Sequence, residues 1–347
     1  MQDIDQRDRE LLAALQSEVP LVSTPFAVVG QRIDMAEKEV IKRAERLKRE
    51  GIIKQISATF EPRAIGYRSC LVAVRVDDDE VDSAAAAISA HPGVTQNYRR
   101  NHDFNIWFTI TIGTDSKLGL DRTIERLGDE AHAQVVRPLP TIRLFKTANL
   151  EMIDAHPADP DHGGIEETHG VPLTSVEIEA VRLLQRDLPL QPRPFDVLAR
   201  LQATIGPDEL LAAARTLGER QQLRRFSATV APRKPGFSAT AMGVWTVPPD
   251  RVDELGTRMA AHRAVSHCYL RPTYDDWPYN LFTTVHARSV DECESIIHEL
   301  AADTGLTGGR ALYPIREYKR ERANYFAPEL LEWESSRHGL TERSAVS

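Results

Sequence analysis

Apolar residues recur at helical spacing in three short stretches near the N-terminus, and the pattern then changes to alternation. Over residues 5–15, Leu11, Leu12 and Leu15 share one helical face. Pro25 opens a second short helix over residues 26–33, because a first helical position has no N–H to lose. Asp34 is suited to N-cap a longer helix over 35–50, whose buried stripe is Val40, Ala44 and Leu47. Gly51 ends it as a C′ glycine does, and residues 52–60 alternate as a strand. Three helices and a strand wing predict a winged helix-turn-helix. Beyond it the pattern predicts strand 69–76, helix 81–90, strands 94–99 and 105–112, helix 117–128 and strand 135–144. That order, βαββαβ, is the ferredoxin-like split unit.

The same succession then returns. Helices are predicted at 175–186, 194–201 and 207–219, with a wing at 223–230. Strand, helix, strand, strand, helix and strand follow at 239–246, 252–261, 265–271, 280–287, 290–302 and 309–317. Residues repeat along with the pattern: GIIKQISATFEPRAIGY (51–67) faces QQLRRFSATVAPRKPGF (221–237), aligning Ser57 with Ser227, Pro62 with Pro232 and Gly66 with Gly236. VTQNYRRNHDFNIWFTI (94–110) faces VSHCYLRPTYDDWPYNLFTTV (265–285), and PTIRLFK (140–146) faces YPIREYK (313–319). Solenoid repeats have periods of about 20–50 residues, so this is a whole module duplicated. The predicted fold class is α+β, a tandem duplicate of a winged helix-turn-helix plus a ferredoxin-like βαββαβ domain. The expected divisions are 1–66 and 67–150 for the first copy, 151–170 for a linker, 171–237 and 238–326 for the second copy, and 327–347 for a tail. The linker's His156, His162 and His169 lack the fixed spacing of metal ligands and read as part of a solvated tether. Leu330, Leu331 and Trp333 form an apolar patch in the tail, expected to pack on a neighbouring element.

Composition narrows the class. With 347 residues, 41% of them hydrophobic, the chain can bury a core in two or more domains. A net charge of −8 argues against general nucleic-acid affinity, which depends on phosphate neutralisation. Cys70, Cys268 and Cys293 are isolated, as expected of reduced thiols without a zinc or iron–sulfur site. The opening MQDIDQRDRE is polar and acidic, and no apolar run reaches the roughly 20 residues of a membrane span, so a cytoplasmic location is expected.

This architecture resembles the Lrp/AsnC regulators over both halves. The resemblance implies a helix for the DNA major groove and a rear domain that senses amino acids and oligomerises. The residues weigh against DNA reading. In helix 35–50, Lys38, Lys42, Arg43, Arg46, Lys48 and Arg49 are nearly balanced by Glu37, Glu39, Glu45 and Glu50, several at i,i+4 spacing. Its counterpart, PDELLAAARTLGE, is apolar and nearly neutral. DNA binding is therefore not expected, and the heads read as a retained scaffold.

Chemistry gathers instead where the copies diverge. The first hairpin carries Tyr98, Arg99, Arg100, Asn101, His102, Asp103 and Phe104. The longer second one carries His267, Tyr269, Arg271, Tyr274, Trp277 and Tyr279. Each copy ends in alternating cations, Arg143 and Lys146 in one and Arg316 and Lys319 in the other. Rings to stack on a flat ligand and guanidiniums to grip its rim suit an aromatic polycarboxylate. The plain alternative makes Tyr98, Phe104, Tyr269 and Tyr279 hairpin core and leaves Arg143 and Arg316 to solvent or to local carboxylates.

The segments NYRRNHDFNIWFT and HCYLRPTYDDWPYNLFTTVH, with REYKRER close behind, resemble the two subunit types of the siroheme decarboxylase family. Those are Lrp-like proteins that became enzymes, found as paired subunits or as one fused chain, and the likeness covers nearly residues 5–326. It implies siroheme as substrate, losing the carboxyls of the acetates at ring positions twelve and eighteen. The product is didecarboxysiroheme, on the way to the dioxo haem or to haem by an alternative route. CO₂ loss leaves electron density on a methylene carbon, which the macrocycle delocalises and a proton quenches, so no cofactor is expected beyond the iron the substrate brings. Clamping the reacting carboxylate would stabilise the ground state. Arg99, Arg100, Arg271, Arg143, Lys146, Arg316 and Lys319, with Tyr98, are therefore expected on the spectator carboxylates. His102 and His267 are the candidate acids, imidazole titrating near neutrality, and either can instead be the axial ligand to the substrate iron. Tyr269, Tyr274 and Tyr279 can relay protons or bind carboxylates, and Trp277 can stack on the ring. His286, near the end of its strand, is a further candidate that reads more simply as a core or surface histidine, His91 and His262 read as turn formers, and His132 and His298 as surface residues. The halves are expected to pair as a pseudo-dimer, with a homodimer of chains as a further step. A tandem regulator sensing haem or another anion, and a carrier without catalysis, stay open as alternatives.

Overall fold

A computed structural model describes residues 4–146, 171–202, 204–231 and 239–344; the expected tether at 151–170, with its three histidines, lies outside the described residues. The first copy runs α1 (Gln6–Ser17), α2 (Pro25–Arg32), α3 (Glu37–Arg49), β1 (Ile53–Phe60), β2 (Tyr67–Arg75), α4 (Val81–Ser89), β3 (Val94–Arg100), β4 (Ile106–Gly113), α5 (Gly119–Glu130), β5 (Val135–Leu139) and β6 (Arg143–Lys146). The second runs α6 (Ser175–Leu184), α7 (Pro194–Arg200), α8 (Pro207–Glu219), β7 (Leu223–Val230), β8 (Ala239–Trp245), α9 (Val252–Ala261), β9 (Val265–Leu270), β10 (Leu281–Ala287), α10 (Val290–Thr304), β11 (Arg310–Leu312), β12 (Pro314–Arg320) and α11 (Pro328–Ser344).

Two local expectations are corrected. Asp34 does not cap α3, whose N-cap is Ala36. Asp34 instead takes φ 51° and closes α2, letting the Met35 N–H reach Gly30 O at 2.8 Å. A short polar side chain tolerates that left-handed turn. The last strand of each copy is also two strands, which separate after Leu139 in the first copy, where Pro140 has no N–H to give, and at Tyr313 in the second, just before Pro314.

The chain divides into two compact units, each drawing on both copies. One comprises Met1–Tyr67, Thr168–Pro232 and Asn324–Ala327. Here the two wing strands pair with each other, antiparallel, with Ser57 opposite Ser227, Ile56 opposite Ala228 and Ala58 opposite Phe226. Duplicate residues facing one another mark a local two-fold relation between the copies. Phe26, Val40 and Leu47 share a core with Leu184, Phe195 and Phe226. Phe26 and Phe195 are fully enclosed, and burying such a side chain contributes about 1.5–3 kcal/mol. Asp8, buried on α1, accepts from Arg43 at 2.9 Å and Arg46 at 2.5 Å, so two of the cations on α3 turn inward. Glu177 on α6 takes Arg220 in the same way at 2.8 Å.

The other unit holds Arg68–Glu167, Arg233–Ala323 and Pro328–Ser347. Its described residues form two five-stranded sheets, ordered β12-β3-β4-β2-β5 and β11-β8-β10-β9-β6. Each sheet takes its last edge strand from the other copy: β6 lies along β9, and β12 along β3. One face of each sheet is covered by its own helices, α4 and α5 in one case and α9 and α10 in the other. The opposite faces meet in one cluster that includes Leu71, Trp107 and Leu139 of the first copy and Val244, Tyr269, Phe282 and Leu312 of the second. Helix α11 packs Leu330 and Trp333 against the helical side of the first sheet, while Leu331 stays exposed.

Candidate active site

Strand alternation sorts the hairpin residues by face. On β3, Asn97 turns to the helices and donates to Ala85 O, and Arg99 pairs with Asp78 at 3.1 Å. Tyr98 and Arg100 turn the other way, the guanidinium lying 5.8 Å from the Tyr98 ring and 5.9 Å from Trp107. Tyr269 on β9 and Arg271 just past its end share that inner orientation, with Arg271 4.9 Å from the Tyr269 ring and 5.5 Å from Phe282. The two arginines are matched. Arg100 donates to Leu312 O of the second copy at 3.1 Å, and Arg271 to Leu139 O of the first. Asn105 and Asn280 fix the hairpin bases alike, each exchanging two hydrogen bonds with a backbone residue, Val76 or Val247.

The unlike tips meet at Trp277, which is fully buried. Its ring stands edge-on to His102 at 5.2 Å, Phe104 at 5.5 Å, Trp107 at 5.2 Å and Tyr279 at 4.9 Å. The indole N–H has no acceptor among the described residues. Tyr274 bridges to Trp277 through the backbone, donates its hydroxyl to Pro138 O at 2.6 Å and lies 4.9 Å beneath Arg137. His102 Nδ1 accepts the Phe104 N–H at 3.0 Å, so the neutral ring carries its hydrogen on Nε2. Burial, and then the nearby Arg310, lower the His102 pKa, against a small opposing pull from Asp103. Burial, and then Glu317, push the Tyr98 phenol up to about 12.

His267 is buried and stacks on Tyr269, with centroids 5.9 Å apart and planes within 15°. Its Nδ1 lies 2.8 Å from Ser266 Oγ, which is 2.9 Å from His286 Nε2; His286 Nδ1 in turn lies 3.0 Å from Thr240 Oγ1. The sequence alone singles out neither Ser266 nor Thr240, and it offers His286 only as a secondary candidate beside a core or surface role. The signal was available in the duplication: Gln96 and Thr111 stand in the first copy where His267 and His286 stand in the second.

The remaining predicted cations lie on the helical faces, outside this cluster. Arg143 pairs with Asp253, and Arg316 pairs with Asp82 at 2.7 Å. Lys146 donates to His262 O at 3.0 Å, and Lys319 to Ser89 O and His91 O at 2.9 and 3.2 Å, where each neutralises a helix C-terminus. With Arg99, these five were expected to hold substrate carboxylates, and each has a protein partner on the face away from the cluster. His91 and His262 each accept a backbone N–H two residues on, as turn formers do. Among the described residues no group of His, Cys, Asp and Glu has the makings of a metal site, and no helix is long and apolar enough to cross a membrane.

Comparison with known proteins adds a second line. A family model described as the AsnC-like ligand binding domain matches residues 64–146 and again 234–319, and one for the siroheme decarboxylase NirDL-like HTH domain matches 8–53. The siroheme decarboxylase of Hydrogenobacter thermophilus is 33% identical over 324 residues, covering 93% of this chain and 96% of that relative. The siroheme decarboxylase NirDL subunit of Paracoccus denitrificans is 33% identical over 310 residues, covering 86% and 90%. A crystal structure of the siroheme decarboxylase NirDL is similar with a TM-score of 0.79 and 30% identity, over 97% of this chain and 100% of that one. The same enzyme in co-complex with an iron-uroporphyrin III analogue matches equally well.

Proposed function

The chain belongs to the siroheme decarboxylase family, and on that premise we propose that it removes CO₂ from the two acetates of siroheme at ring positions twelve and eighteen. The observation that carries this reading is the meeting of the two hairpin tips, with His102 set against the buried Trp277. Each acetate loses its carboxylate as CO₂, the bonding pair stays on the methylene carbon, and one proton converts that carbon to a methyl group. His102 and His267 are the proton donors in this reading, and Tyr269 lies against His267. The aromatic surroundings hydrate a carboxylate poorly, which favours the charge-dispersed transition state over the ground state. Arg100 and Arg271, with Tyr98, Tyr274 and Tyr279, face the spectator carboxylates. A buried donor left unmade costs about 1–3 kcal/mol, so the Trp277 indole N–H favours a ligand with an acceptor at its edge. The five cations on the helical faces are left out of the substrate's grip.

No cofactor beyond the substrate's iron enters this reaction. The exchange of β6 and β12 supports a pseudo-dimer of halves within one chain. Three buried free cysteines fit a cytoplasmic protein. The test is anaerobic incubation of the pure protein with siroheme, followed by mass spectrometry. The expected product has lost two carboxyl masses; a regulator or carrier would return siroheme unchanged. General acids contribute about 10²–10⁴-fold, so His102→Ala and His267→Ala should lose at least that much. Turnover above about a tenth of wild type in both would remove histidine from the chemistry.

A further inference from the structure

We propose that Ser266 and His286 are positioning residues that hold His267 by its Nδ1 atom, and that this device exists in the second copy only. The inference rests on His267 acting as a proton donor in the reaction proposed above. Three neighbours surround Ser266 Oγ: His267 Nδ1 at 2.8 Å, His286 Nε2 at 2.9 Å and Thr284 O at 3.2 Å. A hydroxyl gives one hydrogen bond and accepts two. Thr284 O can only accept, so the assignment that satisfies all three sends the Ser266 hydrogen to Thr284. Both imidazoles then donate to Ser266. His267 carries hydrogen on Nδ1 and His286 on Nε2, and His286 Nδ1 accepts from the Thr240 hydroxyl at 3.0 Å. Burial lowers the His286 pKa, in keeping with a neutral ring there.

With Nδ1 committed in this way, the donor form of His267 is the imidazolium, whose second hydrogen sits on Nε2. When that N–H bond breaks, its electron pair stays on nitrogen and the proton forms the new C–H bond. No other hydrogen in the chain has to move. An acid whose partners are already arranged for both of its states avoids reorganisation during the step.

The backbone builds this device locally. Between β9 and β10 the register passes from Thr284 opposite His267 to Val285 opposite Val265, leaving Ser266 as the extra residue of a bulge. A bulge bends the strand and re-aims its side chains, which lets Ser266 and His267 address one another. The first copy keeps the bulge, with Val94 opposite Ile110 and Gln96 opposite Thr109. Thr95 Oγ1 there reaches Thr109 O at 3.4 Å, the counterpart of the Ser266 bond to Thr284 O. Ser69 and Thr111, 2.8 Å apart, stand for Thr240 and His286. The hydroxyls persist, but both imidazoles are missing, so the duplication holds its own control.

The experiment compares Ser266→Ala, Ser266→Thr, His286→Phe and, as control, Thr95→Ala, by single-turnover decarboxylation, siroheme affinity and ¹⁵N-histidine resonances. Loss of an outer orienting partner typically costs about 10–100-fold, and that loss of rate is expected for Ser266→Ala and His286→Phe with affinity changed less than about twofold. Ser266→Thr keeps the hydroxyl and should recover most of the rate, while Thr95→Ala should match wild type. The His267 Nδ1 resonance should move from the protonated towards the mixed range in Ser266→Ala and stay in place in Thr95→Ala. Wild-type rate in Ser266→Ala, equal losses in Ser266→Ala and Thr95→Ala, or an unmoved His267 resonance would each overturn the proposal. The resonance is readable whether or not wild type decarboxylates siroheme, so failure of the enzymatic reading and failure of this one are distinguishable.

Discussion

At the scale of single residues, His102 shows how burial and binding oppose each other. Its ring is held by the Phe104 N–H, and burial followed by Arg310 lowers its pKa below the ordinary histidine value of 6.5, favouring the neutral form in the free protein. A polycarboxylate arriving beside it has the opposite effect, since a nearby negative charge favours the imidazolium. The sign follows directly: binding raises a depressed pKa, so siroheme binding near pH 7 should take up protons. Calorimetry in two buffers of unlike ionisation heat measures that uptake, and His102→Gln should reduce it; an unchanged uptake in the variant would place the proton elsewhere. Such a residue is only partly legible from sequence. That a histidine stood in a diverged hairpin was readable, but the partner of its Nδ1 atom was not.

Elements show a different division of labour. The cations that end each copy looked like substrate ligands because they alternate with apolar residues beside the hairpins. Their strands cross to the other copy's sheet, where a register shift between Leu144 and Lys146 and another between Glu317 and Lys319 let residues three apart, Arg143 with Lys146 and Arg316 with Lys319, both turn toward helices. The apolar residues between them secure the exchange. Phe145 of β6 fits against Gly256 of α9, where an added Cβ would lie 2.5 Å from the ring. Gly256→Leu should therefore displace β6. Overpacking of this kind costs about 1–3 kcal/mol, seen as a lower urea midpoint, and an unchanged midpoint would mean that the strand does not dock through this notch. Helix α3 carries the same lesson. Its place in the fold is that of a reading helix, its nearly balanced charges weigh against that role, and Arg43 and Arg46 are held by the buried Asp8 on α1.

At the scale of the whole molecule, duplication followed by divergence accounts for what was kept and what was changed. The wing strands, which in a solitary winged helix would stand free, pair with each other about Ser57 and Ser227. With the wings engaged, two arginines of α3 turned inward and a net charge of −8, there is little excess positive charge to displace counterions from DNA. A gel shift on genomic fragments at about 150 mM salt should show no retarded complex, whereas a stable one would restore the regulatory reading. The site itself was legible as a set of residue types more than as an arrangement. Trp277, His102, Arg100, Arg271 and Tyr269 were all named from the hairpins, while the Thr240–His286–Ser266–His267 chain was not, since its members lie on three strands.

The sequence by itself determined the repeat, the helix and strand succession and the two unlike hairpins, because spacing of apolar residues and matched segments are properties of the chain in one dimension. Only the tertiary structure decided which sheet each terminal strand joins and which cations face helices instead of the cluster. It also decided which imidazole shares a serine with another. Those outcomes depend on the face to which alternation and its interruption at bulges turn a side chain once its strand has found a partner distant in sequence, and pairing at that distance is set by packing.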